Sequence, residues 1–225
     1  MNLCYLFSDL LNVNGSRGNP DCLLRRLEWR GIDANLIYAP LGWDGDFSAF
    51  QLVYLGAGHG EGSEALSRET RRLSGGLCAY AENGGAILAV CDGFELLGKS
   101  VRYGDGTLAP GFGVLDMTVD YLPARLTGNY VFDCGGDIGP VAAFRNHAGR
   151  VDYGPGLAPL GTLPDGSAEG ARYKNVFGSY GHGPLLPKNP ALADAVLAAA
   201  LGQALPPLDD TLEHNARAGL LGKQA

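Results

Sequence analysis

The sequence predicts an α/β protein built on a mainly parallel β-sheet with helices on both faces. Four short runs in the first 90 residues are apolar throughout instead of alternating with polar residues. Helix-like segments separate the first run from the second and the third from the fourth, which gives the order β-α-β-β-α-β. Continuous apolar strands joined by helices are typical of parallel sheets that are buried on both sides.

The amino-terminal half supplies these elements one after another. Leu3–Ser8 is the first apolar run and predicts a buried strand. A helix is expected over Pro20–Arg30, because Asn19 is a favourable N-cap and Gly31 follows the last turn. The later elements of this half are the strands "ANLIYA" and "QLVYLG", a helix over Ser63–Glu82 with two weakening glycines in its middle, and the strand "AILAV".

The pattern changes in the second half of the chain. From Gly111 to Phe177 it predicts short strands and turns, such as "GVLDMTVDY", "NYVFDC" and "ARYKNVFGSY", which would extend the sheet or pack beside it. Asn189 and Pro190 repeat the signal for a helix start, and "ALADAVLAAALG" closes as a helix at Gly202. We therefore expect one domain over residues 1–205 and a carboxyl-terminal tail over residues 206–225 that can form a short, loosely packed helix.

Composition and charge narrow the function. The net charge of −7 and the lack of a Lys/Arg cluster argue against a nucleic-acid-binding protein. No apolar stretch reaches the about 18–20 residues of a membrane-spanning helix, and Met1 leads into a strand instead of a signal peptide. The five cysteines form no C-x-x-C pair, which favours a reducing compartment over a disulfide framework or a zinc site. We therefore expect a cytoplasmic protein without a metal centre.

The segment "AILAVCDGFELLGKS" places a cysteine directly after a buried strand. Ligands collect at the carboxyl ends of the strands in an open parallel sheet, and Cys91 stands at such an end. A strand, a nucleophile and a glycine two residues later are typical of a nucleophile elbow. The amino terminus of the following helix would favour the thiolate of Cys91, and the N–H of Asp92 would point toward an oxyanion. The other four cysteines are interpreted as buried structural residues.

The same segment also matches a phosphate-binding loop, since Gly93–Ser100 formally gives G-x-x-x-x-G-K-S. The middle of a functional phosphate loop is usually small and flexible, whereas Phe94 and its neighbours are bulky helix formers and Glu95 would repel phosphate. We interpret this match as accidental.

A cysteine hydrolase needs a general base, and the local pattern leaves two histidines open. His182 lies in the glycine-rich segment "FGSYGHGPLLPKNP", which is typical of a site loop, and His147 lies in "FRNHAGR". His59 belongs to the glycine loop "LGAGHGEG", which follows the third strand and would lie beside the elbow. Within that loop, the N–H of Gly58 is the best candidate for a second oxyanion donor.

Together these segments resemble the class I glutamine amidotransferases, within them the cobyric-acid-synthase-like branch, and most closely the glutaminase subunits of lipid II isoglutaminyl synthases. The resemblance covers nearly the whole chain and rests on "LNVNGSRGN", "CDGFELLGK", "RLTGN", "FRNHAGR" and "GSYGHGPLLPKNP". It implies the flavodoxin-like α/β architecture of that class. It also implies that Cys91 is the nucleophile, that His182 is the general base and acid, and that Arg125 binds the α-carboxylate of L-glutamine.

The resemblance further implies a partner. Ammonia released from L-glutamine would pass to a Mur-ligase-like catalytic subunit, which uses its own ATP and magnesium to amidate the D-glutamate of lipid II to D-isoglutamine in peptidoglycan synthesis. This chain would carry no cofactor itself. Two positions depart from the family pattern, because Glu95 replaces a common glutamine and Pro184 replaces a common carboxylate. Another cysteine-elbow enzyme, such as a DJ-1-like hydrolase, or a non-catalytic amidotransferase-like scaffold are the alternatives.

Overall fold

The computed structural model describes residues 1–58 and 63–221, so His59 and Glu61 of the glycine loop lie outside the described residues. In chain order, the helices and strands are β1 (Asn2–Leu6), α1 (Gly18–Glu28), β2 (Asn35–Ala39), β3 (Leu52–Leu55), α2 (Glu64–Glu82), β4 (Ala86–Val90), α3 (Asp92–Leu96), β5 (Ser100–Arg102), β6 (Leu108–Pro110), β7 (Met117–Asp133), β8 (Pro140–Tyr153), β9 (Gly161–Thr162), β10 (Ala168–Glu169), β11 (Ala171–Tyr173), β12 (Val176–Ser179), α4 (Pro190–Leu201) and α5 (Thr211–Leu221).

The first sheet has the strand order β11-β12-β4-β3-β1-β2. Its neighbours run parallel from β12 to β2, and β11 is antiparallel at the edge. Successive side chains of one strand point to opposite faces. Cys4 and Leu6 therefore pack in the core cluster that contains α2, whereas Leu3 and Tyr5 pack in the cluster that contains α1 and α4. The predicted mainly parallel sheet with helices on both faces is confirmed.

A second sheet follows the elbow, in the order β10-β9-β7-β5-β6, with β8 paired to β7. The prediction of short strands between residues 111 and 177 is wrong here, because β7 has 17 residues and β8 has 14. Their antiparallel register shifts between Tyr121 and Leu126, so residues 122–125 face the single residue Ala148. Those four residues are exposed. This bulge interrupts the alternation of apolar and polar residues, and the sequence pattern therefore breaks in the middle of one continuous strand.

Two buried asparagines have roles that differ from helix capping. Helix α1 begins at Gly18, and Asn19 is fully buried inside its first turn, so the predicted N-cap is wrong. Its Oδ1 accepts from the backbone N–H groups of Leu185 and Leu186 at 2.8 and 2.9 Å. Asn189 does precede α4, but its side chain bonds the backbone of Ala142 and the carbonyl of Leu185 instead of the helix end. Both asparagines hold the loop after β12.

The carboxyl-terminal tail is attached to α1 by charged groups. Arg26 is 2% exposed and donates from Nη1 to Asp210 Oδ1 at 2.6 Å and from Nε to Asp194 Oδ1 at 2.7 Å. Arg30 donates from Nε to the carbonyl of Pro206 at 2.8 Å. Asp194 belongs to α4, whereas Pro206 and Asp210 lie just beyond the expected domain boundary at residue 205. Over the residues described, none of the helices has the length and apolarity that crossing a membrane requires.

Candidate active site

Cys91 forms a strained turn between β4 and α3. Its backbone has φ +52° and ψ −119°, a conformation that is costly for a residue with a side chain. The turn is held by two backbone hydrogen bonds, from Cys91 N–H to the Ser179 carbonyl at 2.8 Å and from Gly93 N–H to the Gly56 carbonyl at 3.0 Å. A Cβ at residue 93 would lie 2.7 Å from the carbonyl carbon of Leu55. Glycine is therefore needed there for α3 to approach β3, as expected for a nucleophile elbow.

The electrostatic environment of the Cys91 thiol differs from the sequence-based expectation. Burial raises its pKa well above the ordinary value of 9.0, and the nearby charges of Asp92 and Glu95 raise it further. The hydrogen bond from the Asp92 N–H acts in the opposite direction. The raising effects oppose the expected stabilisation of a resting thiolate by the amino terminus of α3, so a base would have to remove the thiol proton.

The two expected oxyanion donors are connected to each other. The N–H of Gly58 donates to Asp92 Oδ2 at 2.9 Å. A Cβ at residue 58 would lie 2.6 Å from the carbonyl oxygen of Leu10 and 2.5 Å from the Leu11 side chain, so a glycine is required at this position. A substrate oxygen could accept from the Gly58 N–H after displacing the Asp92 carboxylate. The role of both donors in binding an oxyanion stays a prediction.

His182 lies three residues beyond β12, which is the strand beside β4. The backbone N–H of His182 donates to the Phe144 carbonyl at 2.9 Å, and the imidazole ring stacks on the Phe144 ring with centroids 5.8 Å apart. Burial lowers the imidazole pKa, and the charges of Lys188 and Arg125 lower it further, so the ring is neutral and able to accept a proton. Within residues 1–58 and 63–221, Nδ1 of this ring has no hydrogen-bond partner.

Pro184 occupies the position where the family commonly has a carboxylate. Its ring packs against the start of α1, where a Cβ at Gly18 would lie 2.6 Å from Pro184 Cγ. This position is therefore used for packing, and Pro184 offers no group that could orient the imidazole of His182.

His147 is the competing histidine, and its ring nitrogen has a structural partner. Nδ1 lies 2.9 Å from the Gly149 carbonyl, which can only accept a hydrogen bond. The ring stacks on Tyr180 with centroids 3.6 Å apart and an interplanar angle of 9°. Burial lowers the His147 pKa to about 4. These contacts agree with the hydrogen-bonded structural role expected for His147, while the choice of His182 as the base stays a prediction.

Arg125 lies on the bulge of β7 and has an exposed side chain. Bulges commonly re-aim a side chain near an active site. Its Nε donates to Asn146 Oδ1 at 2.6 Å and its Nη2 to the Asn146 carbonyl at 2.8 Å. The charge of Arg125 lowers the pKa of both His147 and His182, so the guanidinium lies within electrostatic range of both imidazoles. Its contact with glutamine stays a prediction.

The residues after the elbow form a helix and a turn. Asp92–Leu96 is helical, and Lys99 pairs with Asp116 at 2.5 Å, so this segment does not wrap around an anion as a phosphate loop would. Glu95 is 4% exposed and accepts a hydrogen bond from the Tyr121 hydroxyl at 2.9 Å. The family's glutamine position is therefore taken by a carboxylate that is anchored in the protein.

Sequence reasoning missed Ser179 and Glu169, two buried polar residues beside the elbow. Ser179 binds the backbone of Cys91 through its carbonyl, and Glu169 accepts from the Ser179 hydroxyl. Neither lies in a recognisable motif. The one sequence feature that could have indicated them is that Glu169 and Ser179 are polar residues in short strand-like segments whose other residues are mostly small or apolar.

The mainly parallel sheet, with a cysteine elbow at its carboxyl end, places this chain among the α/β proteins that carry a cysteine at a nucleophile elbow. A solved structure described as a glutamine amidotransferase has the same fold, with a TM-score of 0.64 and 20% identity over 88% of this chain and 98% of the other. The chain belongs to the CobB/CobQ-like glutamine amidotransferase family, whose domain model matches residues 11–190. Family membership confirms the predicted class I glutamine amidotransferase fold and does not favour a DJ-1-like hydrolase.

Two relatives are similar over nearly the whole chain. The lipid II isoglutaminyl synthase (glutamine-hydrolyzing) subunit GatD of Staphylococcus aureus (strain N315) is 30% identical, over 88% of this chain and 83% of the relative. The protein of the same name from Streptococcus pneumoniae (strain ATCC BAA-255 / R6) is 30% identical, over 95% of this chain and 88% of the relative.

Proposed function

We propose that this chain is the glutaminase subunit of a lipid II isoglutaminyl synthase. It would hydrolyse L-glutamine to L-glutamate and ammonia, and the ammonia would amidate the D-glutamate of lipid II to D-isoglutamine. The observation that carries the proposal is the strained cysteine elbow at Cys91, in a chain that two relatives of that name match over 88% and 95% of its length. The buried neutral imidazole of His182 beyond the adjacent strand supports the same chemistry.

The proposed reaction begins with proton transfer. His182 accepts the thiol proton of Cys91, and the sulfur attacks the side-chain amide carbon of glutamine. The amide oxygen becomes an oxyanion that accepts from the N–H groups of Asp92 and Gly58. When the C–N bond breaks, His182 returns the proton to the leaving nitrogen and ammonia departs. Water, deprotonated by His182, then attacks the thioester; the C–S bond breaks, glutamate leaves and the thiol regains its proton.

Substrate binding and partner complete the proposal. Arg125 would hold the α-carboxylate of glutamine through a bidentate guanidinium contact, after exchanging its bonds with Asn146. The partner would be a Mur-ligase-like subunit that binds ATP, magnesium and lipid II, and the two chains would form a heterodimer. A cytoplasmic location fits the five free thiols, which persist in a reducing compartment.

Glutamine hydrolysis by the purified chain, alone and with its partner, tests the proposal. Cys91→Ser should abolish ammonia release, because a hydroxyl has a far higher pKa than a thiol and the buried site does not ionise it. Cys78→Ser is the matched control, since Cys78 donates to the Phe112 carbonyl and lies apart from the elbow. Near-normal ammonia release by a folded Cys91→Ser protein would contradict the proposal.

A second assay, with the partner subunit present, tests whether lipid II accepts the ammonia that this chain releases. With ATP, magnesium, lipid II and glutamine, mass spectrometry should detect amidated lipid II, and the Cys91→Ser complex should form it only from added ammonium salt. Ammonia release without any amidated lipid II would limit the function to hydrolysis for another acceptor.

A further inference from the structure

Glu169 is a buried carboxylate that the reaction above does not use. It ends β10 and is 4% exposed. Three donors converge on its Oε1: the Tyr130 hydroxyl at 2.8 Å, the Tyr180 N–H at 2.9 Å and the Ser179 hydroxyl at 3.1 Å. Buried donors of this kind are costly to leave without an acceptor, so the carboxylate fixes the positions of all three.

Two of the three donors, the Ser179 hydroxyl and the Tyr180 N–H, belong to the segment that leads from β12 to His182, and the third, Tyr130, lies on β7. The Ser179 hydroxyl also accepts from the Gly181 N–H at 2.8 Å, and the Ser179 carbonyl accepts from the Cys91 N–H. His182 follows Gly181 directly, and its backbone N–H donates to the Phe144 carbonyl. Glu169 is thus hydrogen-bonded directly to Ser179 and Tyr180. Ser179 in turn is hydrogen-bonded to the backbone of Cys91 and of Gly181, the residue before His182.

We propose that Glu169 is a positioning residue for the glutaminase reaction, and that it fixes the Ser179–Gly181 strand exit so that His182 is aligned with Cys91. This inference rests on the proposed function. Glu169 would not touch the substrate; it would act through the Ser179 hydroxyl and the Tyr180 N–H. Its loss would therefore slow the chemical step more than it weakens glutamine binding.

The ionisation of Glu169 gives this role a pH signature. Burial raises its pKa to about 7, while the three hydrogen bonds favour the charged form. The titratable groups that face it do not change charge near neutral pH, because burial raises the pKa values of Tyr130, Tyr153 and Tyr180 well above 10 and that of Cys134 to about 12. Arg145 lies over the Tyr130 ring, with 5.3 Å between its Cζ and the ring centroid.

The experiment compares three variants with the wild type in the glutaminase assay. Glu169→Gln keeps an oxygen for the three donors, Glu169→Leu removes it, and Ser179→Ala removes the bridge between the carboxylate and Gly181. We expect Glu169→Leu and Ser179→Ala to lower kcat at least about 10-fold with little change in KM, since small misalignments cost large factors in rate. Glu169→Gln should restore most of kcat and remove the ionisation near pH 7 from the pH profile.

Controls separate this inference from the proposed function. Glu69→Gln, on a glutamate that is 8% exposed and accepts from Arg72 and the Gly42 N–H, should behave like the wild type. An inactive wild type would contradict the proposed function. An active wild type together with a folded Ser179→Ala protein of unchanged kcat would overturn the inference, as would a Glu169→Gln pH profile identical to that of the wild type. Ser179→Ala decides the matter if Glu169→Leu fails to fold.

Discussion

His182 and His147 are both buried imidazoles whose pKa is lowered, yet their Nδ1 atoms differ. Nδ1 of His147 is bonded to the Gly149 carbonyl, and its ring is stacked on Tyr180. Nδ1 of His182 has no such partner within the described part of the chain. The Gly149 bond and the close Tyr180 stack give the His147 ring a structural role, whereas Nδ1 of His182 is not committed to such a bond, and this difference supports the choice of His182 as the base.

His182→Ala should therefore lower glutaminase turnover by at least about 100-fold, the low end for the loss of a general acid and base. His147→Phe is the matched comparison, because phenylalanine keeps the stack on Tyr180 and loses the ring nitrogens. Steady-state kinetics at saturating glutamine should leave His147→Phe within a few-fold of the wild type. The opposite ranking of the two variants would identify His147 as the base.

Arg125→Ala tests glutamine binding separately from chemistry. If the guanidinium holds the α-carboxylate, its loss should raise KM by an amount equivalent to about 2–5 kcal/mol, with a smaller fall in kcat because the amide is less well aligned. Arg68→Ala, on an arginine whose side chain is 74% exposed on α2, is the control. Unchanged glutamine kinetics in Arg125→Ala would exclude this residue from the substrate site.

At the scale of the elements, α3 can approach β3 closely because residue 93 is a glycine and has no side chain. Gly93→Ala would push a Cβ to 2.7 Å from the Leu55 backbone and should lower the free energy of unfolding by about 1–3 kcal/mol. Gly75→Ala, in the exposed middle of α2 where nothing lies within 4 Å, should instead raise it by about 0.4–1 kcal/mol. Urea unfolding of both variants measures the contrast, and equal effects of the same sign would refute the close-approach argument.

The elements that sequence patterns predicted well are those with local causes. The strand "AILAV" matches β4 at both ends, and α4 ends at Gly202, which adopts φ +66° as a left-handed cap. The β7–β8 hairpin was missed because its bulge breaks the alternation that identifies a strand. Asn19 was assigned to a cap because its partners at residues 185 and 186 are remote in the sequence. The raised pKa of Cys91 follows from burial, which its neighbours in the sequence do not determine.

At the scale of the whole molecule, the tail contributes acceptors to a buried cation. Asp210→Ala would leave Arg26 with Asp194 alone and should lower the free energy of unfolding by about 1–3 kcal/mol, the cost of unsatisfied buried donors. Asp21→Ala breaks the exposed pair with Arg17 and should cost about 0–1 kcal/mol. Chemical denaturation measures both, and a neutral Asp210→Ala would mean that the tail does not stabilise the domain.

The pairing of β4 with β12 also constrains how the chain is made. Residues 91–175 separate these neighbouring strands, so at about 5–20 residues per second a ribosome needs roughly 4–17 s to deliver β12 after β4. During that interval a nascent chain whose first four strands have paired presents β4 as an open apolar edge, with the Cys91 thiol at its end. Such an edge invites pairing with other chains. The order of elements therefore leaves the apolar edge of β4 without its β12 neighbour until the second half of the chain has been made.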